Sequence, residues 1–391
     1  MKELDAHQRR TLAWAGLAVV LAAFDGSVLV IALPAIASDF HAPVPALTNL
    51  GSLLALGALG ALPLASLADR FGRRRLIAAG VAGFSIANVS SAFAPSIGAL
   101  AALRMVAVCF EVLVLGVATA LIVEESPPGR RGQAVSVLAL LTGAGTAITV
   151  LSYPLIAPNW RILFVAGAVG LVSAPAIWIG LPESRAWQRV LPSGSSLRLI
   201  LTPPWRFRLA VIATTTALLA VLMQPAGLLF TIFASQTLRM SPAAISALIA
   251  ASGLGGAASY VAGGFATDRL GRMVPAVALT VMTVIATTLS FSTGWPGFVI
   301  GNLLWSCLAS AATPVLGAWT AELFPTRARA TAQAVGSIFA AAGGIAGLQF
   351  VGLATHFMEL RTALGIAFFF ALAGALLLSR LPETKDAPLP A

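Results

Sequence analysis

Three ionisable side chains, Asp25, Arg104 and Glu111, lie deep inside otherwise apolar stretches of this 391-residue chain. Charges at membrane depth are costly, and where they persist they mark proton relays, ion pathways or ligand contacts. A lone carboxyl in a low dielectric favours its protonated form, whereas a nearby guanidinium favours the carboxylate. An acid and an arginine that approach in one conformation and part in another can load and release a proton. The same pair, held fixed, would only tie two helices together. Asp25 falls roughly 20 Å into its apolar run at 1.5 Å per residue, near mid-depth, and Glu111 is at similar depth in another run. Arg104 precedes Glu111 by two helical turns, on nearly the same face and about 10 Å nearer one surface. Glu111 could be a second protonation site, a contact for a cationic group on a substrate, or the acid that Arg104 neutralises.

The elements that must hold these residues are membrane helices. Hydrophobic residues make up 58% of the chain and charged residues only 10%, against roughly 25% charged in a soluble domain. Apolar runs of bilayer length, about 20 residues, occupy 12–36, 46–68, 76–94, 98–123, 134–157 and 162–181, then 208–234, 243–265, 274–293, 297–321, 332–355 and 362–380. They show no period-2 alternation, so they read as helices and not barrel strands. The expected fold is an all-α membrane protein of twelve transmembrane helices in two six-helix bundles related by a pseudo-two-fold. The bundles span 1–190 and 207–391, joined by a cytoplasmic loop at 191–206.

With both termini in the cytoplasm, only Arg161, Arg239 and Arg361 of the 24 lysines and arginines fall outside, and Arg104 lies within a span. That bias sets the orientation. It also disposes of nucleic acid as the partner for a net charge of +10 and a pI near 11.2; these charges sit in short loops where they meet anionic lipid. The first apolar run is too long for a cleavable signal. Cys109 and Cys307 both lie in apolar runs, and neither a disulfide nor a metal site is expected. No Gly-Lys-Ser/Thr phosphate loop occurs, so ATP is not the energy source, and no cofactor or enzymatic centre is expected.

Two charged turns repeat along the chain. Asp69-Arg70-Phe71-Gly72-Arg73 returns as Asp268-Arg269-Leu270-Gly271-Arg272, 199 residues later. Glu124-Glu125-Ser126-Pro127, followed by Arg131, returns as Glu322-Leu323-Phe324-Pro325, followed by Arg329, 198 residues later. Two turns repeating at one offset imply an internal duplication, the mark of a two-half transporter. Each Asp lies at a helix end, where it can pair with the arginine of the other turn (Asp69 with Arg131, Asp268 with Arg329) or cap a neighbouring helix. Such pairs would close one face in one state and break in the other; the plain alternative is that the arginines only fix topology.

These turns resemble the signature of the major facilitator superfamily, here Ala65-Ser66-Leu67-Ala68-Asp69-Arg70-Phe71-Gly72-Arg73-Arg74, with Ala65 where the family has Gly. Pro182-Glu183-Ser184, Pro382-Glu383-Thr384-Lys385, Trp160-Arg161 and Thr320-Ala321-Glu322-Leu323-Phe324-Pro325-Thr326 are similar to the sugar-porter and aromatic-acid proton symporter groups. The resemblance implies that the first and fourth helices line a central cavity, that Asp25 carries the coupling proton and that Arg104 tunes it. Arg104 and Glu124 keep the family's twenty-residue spacing, whereas Glu111 stands where the family has small residues.

The same resemblance points to substrate contacts. Gln224-Pro225-Ala226-Gly227 resembles the sugar porters' glutamine run, although Leu229 replaces their asparagine. Gln224 is the counterpart of Asp25, Asn302 that of Arg104, and Trp305 and Gln333 are further candidates. This polar set is thin for a polyol, because each unpaired hydroxyl costs about 1–3 kcal/mol. The expected cargo is smaller or more apolar: an organic acid, an aromatic metabolite or a drug. The expected function is proton symport of such a metabolite across the inner membrane by a monomer. Proton-coupled drug efflux is the runner-up, and a non-transporting receptor is the third reading.

Overall fold

The computed structural model describes residues 5–65, 71–125, 131–157, 159–184, 201–203, 205–292, 294–325 and 329–385, with backbone alone at 6, 65, 123–124, 131–136, 266–268, 321 and 329–330. Twelve helical spans among them are long and apolar enough to cross a membrane. We number them α1 (Ala6–Asp39), α2 (Val44–Ala65), α3 (Arg73–Ala92), α4 (Ile97–Glu125), α5 (Arg131–Ile156), α6a (Arg161–Ala166) with α6b (Val169–Gly180), α7 (Trp205–Ile232), α8 (Pro242–Leu270), α9 (Met273–Ser292), α10 (Trp295–Glu322), α11 (Arg329–Ala354) and α12 (Leu360–Leu377). The chain is an all-α membrane protein whose spans fall where the hydropathy places them.

Local chemistry explains several boundaries. Asp5 and Gln8 form a reciprocal capping box at the start of α1, and Ser241 caps α8 with Pro242 at its first turn; both arrangements satisfy amides that a helix start leaves without partners. The sixth span is broken where Gly167 and Ala168 make tight i→i−3 bonds to Phe164 and Val165. The seventh ends in a π turn, Phe233–Thr237, beside the ring cluster Phe230, Phe233, Phe291 and Phe298.

By contacts the chain forms two compact units: Met1–Ala42 with Leu53–Ser193, and Pro43–Ser52 with Gly194–Ala391. In the first, α1 packs on α4 and α5, and α3 packs on α4 and α6b. Thr149 of α5 donates to the Phe24 carbonyl and accepts from Ser27, tying α5 to α1 beside Asp25. At the end away from the arginine turns, Arg161 donates to Asp39 (3.0 Å) and to the Ala92 carbonyl (2.7 Å) while lying over the Trp160 ring. In the second unit α7 packs on α11 and α12, and α10 packs on α8 and α9. The glycine-rich face of α11 is a packing face: a Cβ on Gly343 or Gly347 would strike the carbonyl oxygens of Ala217 and Val221. Gly263 of α8 approaches the Ala311 backbone in the same way. Small residues let membrane helices come this close. Leu155, Val172, Ile179 and Leu254 point outward, as lipid-facing residues do.

Candidate proton and substrate sites

The three mid-depth charges of the first unit come together. Arg104 Nη1 lies 3.3 Å from Asp25 Oδ1, and Nη2 lies 2.7 Å from Glu111 Oε1. Nη2 is also 3.4 Å from the Asp25 carbonyl. All three are buried, with 1% of Asp25 and Arg104 and 5% of Glu111 exposed. The helices explain the geometry. Glu111 sits two turns beyond Arg104 on one face of α4, so the two reach each other along the helix, while Asp25 approaches from α1. Gly26 leaves room for Glu111, since a Cβ there would sit 3.0 Å from Glu111 Oε2.

A fourth member was not singled out from the sequence. Asn88 of α3, fully buried, accepts from Arg104 Nη1 at 2.9 Å, closer than Asp25 does on the same nitrogen. A Cβ at Gly167 would collide with Asn88 Nδ2, so the break in the sixth span is where α6 closes over the asparagine. Phe164 of α6a covers the guanidinium, its ring centre 5.5 Å from Cζ. An asparagine inside an apolar helix was the only available signal, and such residues usually bond helix to helix. Asp25 Oδ2, Arg104 Nε and Asn88 Nδ2 have no hydrogen-bond partner among the described residues. Two carboxyls around one guanidinium, with unsatisfied polar atoms beside them, form a group able to bind a proton.

The charged turns have their own chemistry. Gly72, directly before α3, and Gly271, at the end of α8 and two residues before α9, each adopt φ +92°, a conformation that side-chain-bearing residues rarely take. Lacking a side chain, neither can cap the helix it precedes. The caps come from distant acids: Glu183 accepts from the amides of Arg73 (2.8 Å) and Arg74 (3.2 Å), and Glu383 from those of Arg272 and Met273 (2.9 Å each). A Cβ on either glycine would press on the carboxylate that caps the helix. Burial pushes the Glu383 carboxyl up, but amides from Lys385, Met273, Arg272 and Thr384 outweigh it and hold it below its ordinary value. Both acids stand in the Pro-Glu motifs, 200 residues apart, yet sequence alone assigned them no role.

Of the remaining turn residues, Arg272 pairs with Glu322 at 3.0 Å, and Thr384 also donates to that carboxylate. Burial would raise Glu322; the bonds from Arg272 and Thr384, with the charge of Arg272, hold it lowered. Arg269 is exposed, and its carbonyl accepts from Lys385 Nζ. Asp69 and Arg70 lie outside the described residues, as do the side chains of Glu124, Arg131, Asp268 and Arg329.

The four substrate candidates occupy separate surroundings in the second unit. Asn302 is buried and accepts from Ser252 at 2.9 Å, bonding α10 to α8. Gln224 is exposed, with its methylenes against Gly344 of α11. Trp305 is half-buried. Gln333 borders a cavity of about 330 Å³ with Thr216, Thr320, Ser337, Ile212 and Phe324. That volume is at the small end for ligand sites, and among the described residues no charged side chain lines it.

A model of the Major Facilitator Superfamily matches residues 15–234 and 212–391. The chain belongs to that superfamily. It is 25% identical to the putative niacin/nicotinamide transporter NiaP of Bacillus subtilis, over 99% of each chain. It is 32% identical to the tetracenomycin C resistance and export protein of Streptomyces glaucescens, over 45% of this chain and 34% of that one. The chain thus spans about a third of the length of that relative. The crystal structure of the D-xylose-proton symporter matches at a TM-score of 0.77 and 18% identity, covering 97% and 99% of the two chains, and so shares the fold.

Proposed function

We propose that this superfamily member is a proton-coupled carrier that imports a small organic metabolite. The single observation behind the reading is the buried cluster of Asp25, Arg104 and Glu111, since a carrier needs no sealed ion cluster unless it titrates or moves. Asp25 takes the coupling proton, and Arg104 promotes its release when it approaches. The two units alternate access, and the Arg272–Glu322 pair with the turns around Gly72 and Gly271 opens and closes during the cycle. Substrate is held by few polar groups, Gln224 and Gln333 with Trp305, while Asn302 ties α10 to α8; so sparse a set suits a monocyclic aromatic acid or amide. The full-length similarity to NiaP supports that size class. The protein works as a monomer without a cofactor in the inner membrane, both termini cytoplasmic, because the arginine turns then lie inside.

Export is the second reading, favoured by the similarity to the tetracenomycin C export protein. Proteoliposomes with an imposed pH gradient and labelled nicotinate or nicotinamide separate the two: uptake with the proton flow supports import, movement against it supports export. Asp25→Asn should abolish gradient-driven accumulation while sparing exchange. Unchanged accumulation in that variant would remove Asp25 from the mechanism.

A further inference from the structure

The pairing around Arg104 is uneven in a way that assigns Glu111 a task. Glu111 and Arg104 belong to one helix and meet at 2.7 Å, so their contact survives any shift between α1 and α4. Asp25 belongs to the other helix, and its bond is longer, at 3.3 Å. Asn88 already accepts from the nitrogen that Asp25 uses. Should Asp25 cease to be an anion, Arg104 still has a carboxylate on Nη2 and an amide oxygen on Nη1. Asp25 Oδ2 accepts no hydrogen bond from a donor among the described residues, and the Glu111 carboxyl stands within reach of the Asp25 carboxyl as an acceptor for a proton that Asp25 holds.

We propose that Glu111 is the standing counter-ion of Arg104, so that the cluster is uncharged when Asp25 holds a proton and singly negative when it does not. The proposal rests on the reading of Asp25 as the proton carrier. A simple acid–arginine pair works the other way: neutral when empty and positive when loaded. In a buried site the uncharged form is the favoured one, so Glu111 makes the loaded state the resting state.

Among the described residues, the charged groups facing Asp25 are Arg104 and Glu111 on α4. The α3 neighbour is the neutral Asn88, α6a presents Phe164, and α5 presents Thr149 with Tyr153 one turn on. Cys109, on α4, lies against Gly60 of α2.

Infrared titration of the purified full chain reads the protonated carboxyl directly and needs no substrate. Wild type should show a titrating carboxyl band that is missing from Asp25→Asn. Glu111→Gln should keep the band but shift its loss about 1–3 pH units toward acid, the size of one removed neighbouring charge. Asn88→Asp, which places a second anion on Nη1, should shift it toward alkali, and the double variant should return near wild type. A Glu111→Gln titration that overlays wild type overturns the proposal, as does a band lost in Glu111→Gln and kept in Asp25→Asn. If instead Asp25→Asn still accumulates substrate under a pH gradient, the reading of Asp25 as the proton carrier fails, an outcome read from transport and distinct from a Glu111→Gln titration that overlays wild type.

Discussion

In the first unit Arg104 is wedged between Asp25, Glu111 and Asn88; 198 residues on, Asn302 accepts one hydroxyl from Ser252. Gln224 stands for Asp25 and Ala309 for Glu111. At the arginine turns the two units do the same thing instead. Each has a glycine at φ +92°, a helix start without its own cap, and a glutamate from the unit's last segment on the exposed amides. The duplication has kept the ends alike and let the middle diverge. A helix start needs an acceptor in either half, whereas a buried charge cluster is costly and nothing in the packing requires it twice.

Substitutions at equivalent positions test that contrast. Arg104→Asn gives the first unit the second unit's side chain and strands two buried acids. Leaving a buried charge unpaired costs about 3–5 kcal/mol, so the variant should lose transport and melt far earlier in a detergent thermal-shift assay. A melting point near wild type would mean the cluster is not the sealed ion group described above. Glu183→Ala and Glu383→Ala should cost about 1–2 kcal/mol each, as lost helix caps do, and should cost alike; a loss confined to one half would break the claimed likeness of the ends.

The two acids of the second unit's turn also set a pH signature. Glu322 and Glu383 are held below their ordinary value of 4.5 in the folded protein. Their stabilisation is therefore complete above that value and fades as pH falls through the lowered one. Melting temperature followed by thermal shift should decline on acidification below about pH 4.5, with a shallower decline in Glu383→Gln. The smallest effect is expected at Asn302→Ala, about 1 kcal/mol for one neutral hydrogen bond, with transport retained. A collapse of transport there would make Asn302 more than a helix tie.

Much of this was open to reading before any coordinates. Runs of apolar residues carry the spans because the bilayer length leaves few alternatives, and the offset between the turns exposes the two halves. Asp25, Arg104 and Glu111 stood out because each is costly where it sits. Asn88 did not, since nothing local separates an asparagine that holds a guanidinium from one that joins two helices. Glu183 and Glu383 were visible as motifs but mute as to role, because their partners lie about 110 residues away. The break at Gly167 has no proline to announce it; it depends on how α6a meets Asn88. The substrate candidates are dispersed for a related reason: Asn302 spends its oxygen on Ser252, a choice fixed by packing.

The caps on α3 and α9 also dictate an order of assembly. Each of those helices begins with amides that lack their folded-state acceptor until a glutamate made some 110 residues later arrives. On the ribosome the first bundle cannot latch before residue 183 emerges, and the second stays unlatched until residue 383. Each half is thereby fastened by the last piece of it to be synthesised, like a clasp at the end of a strap.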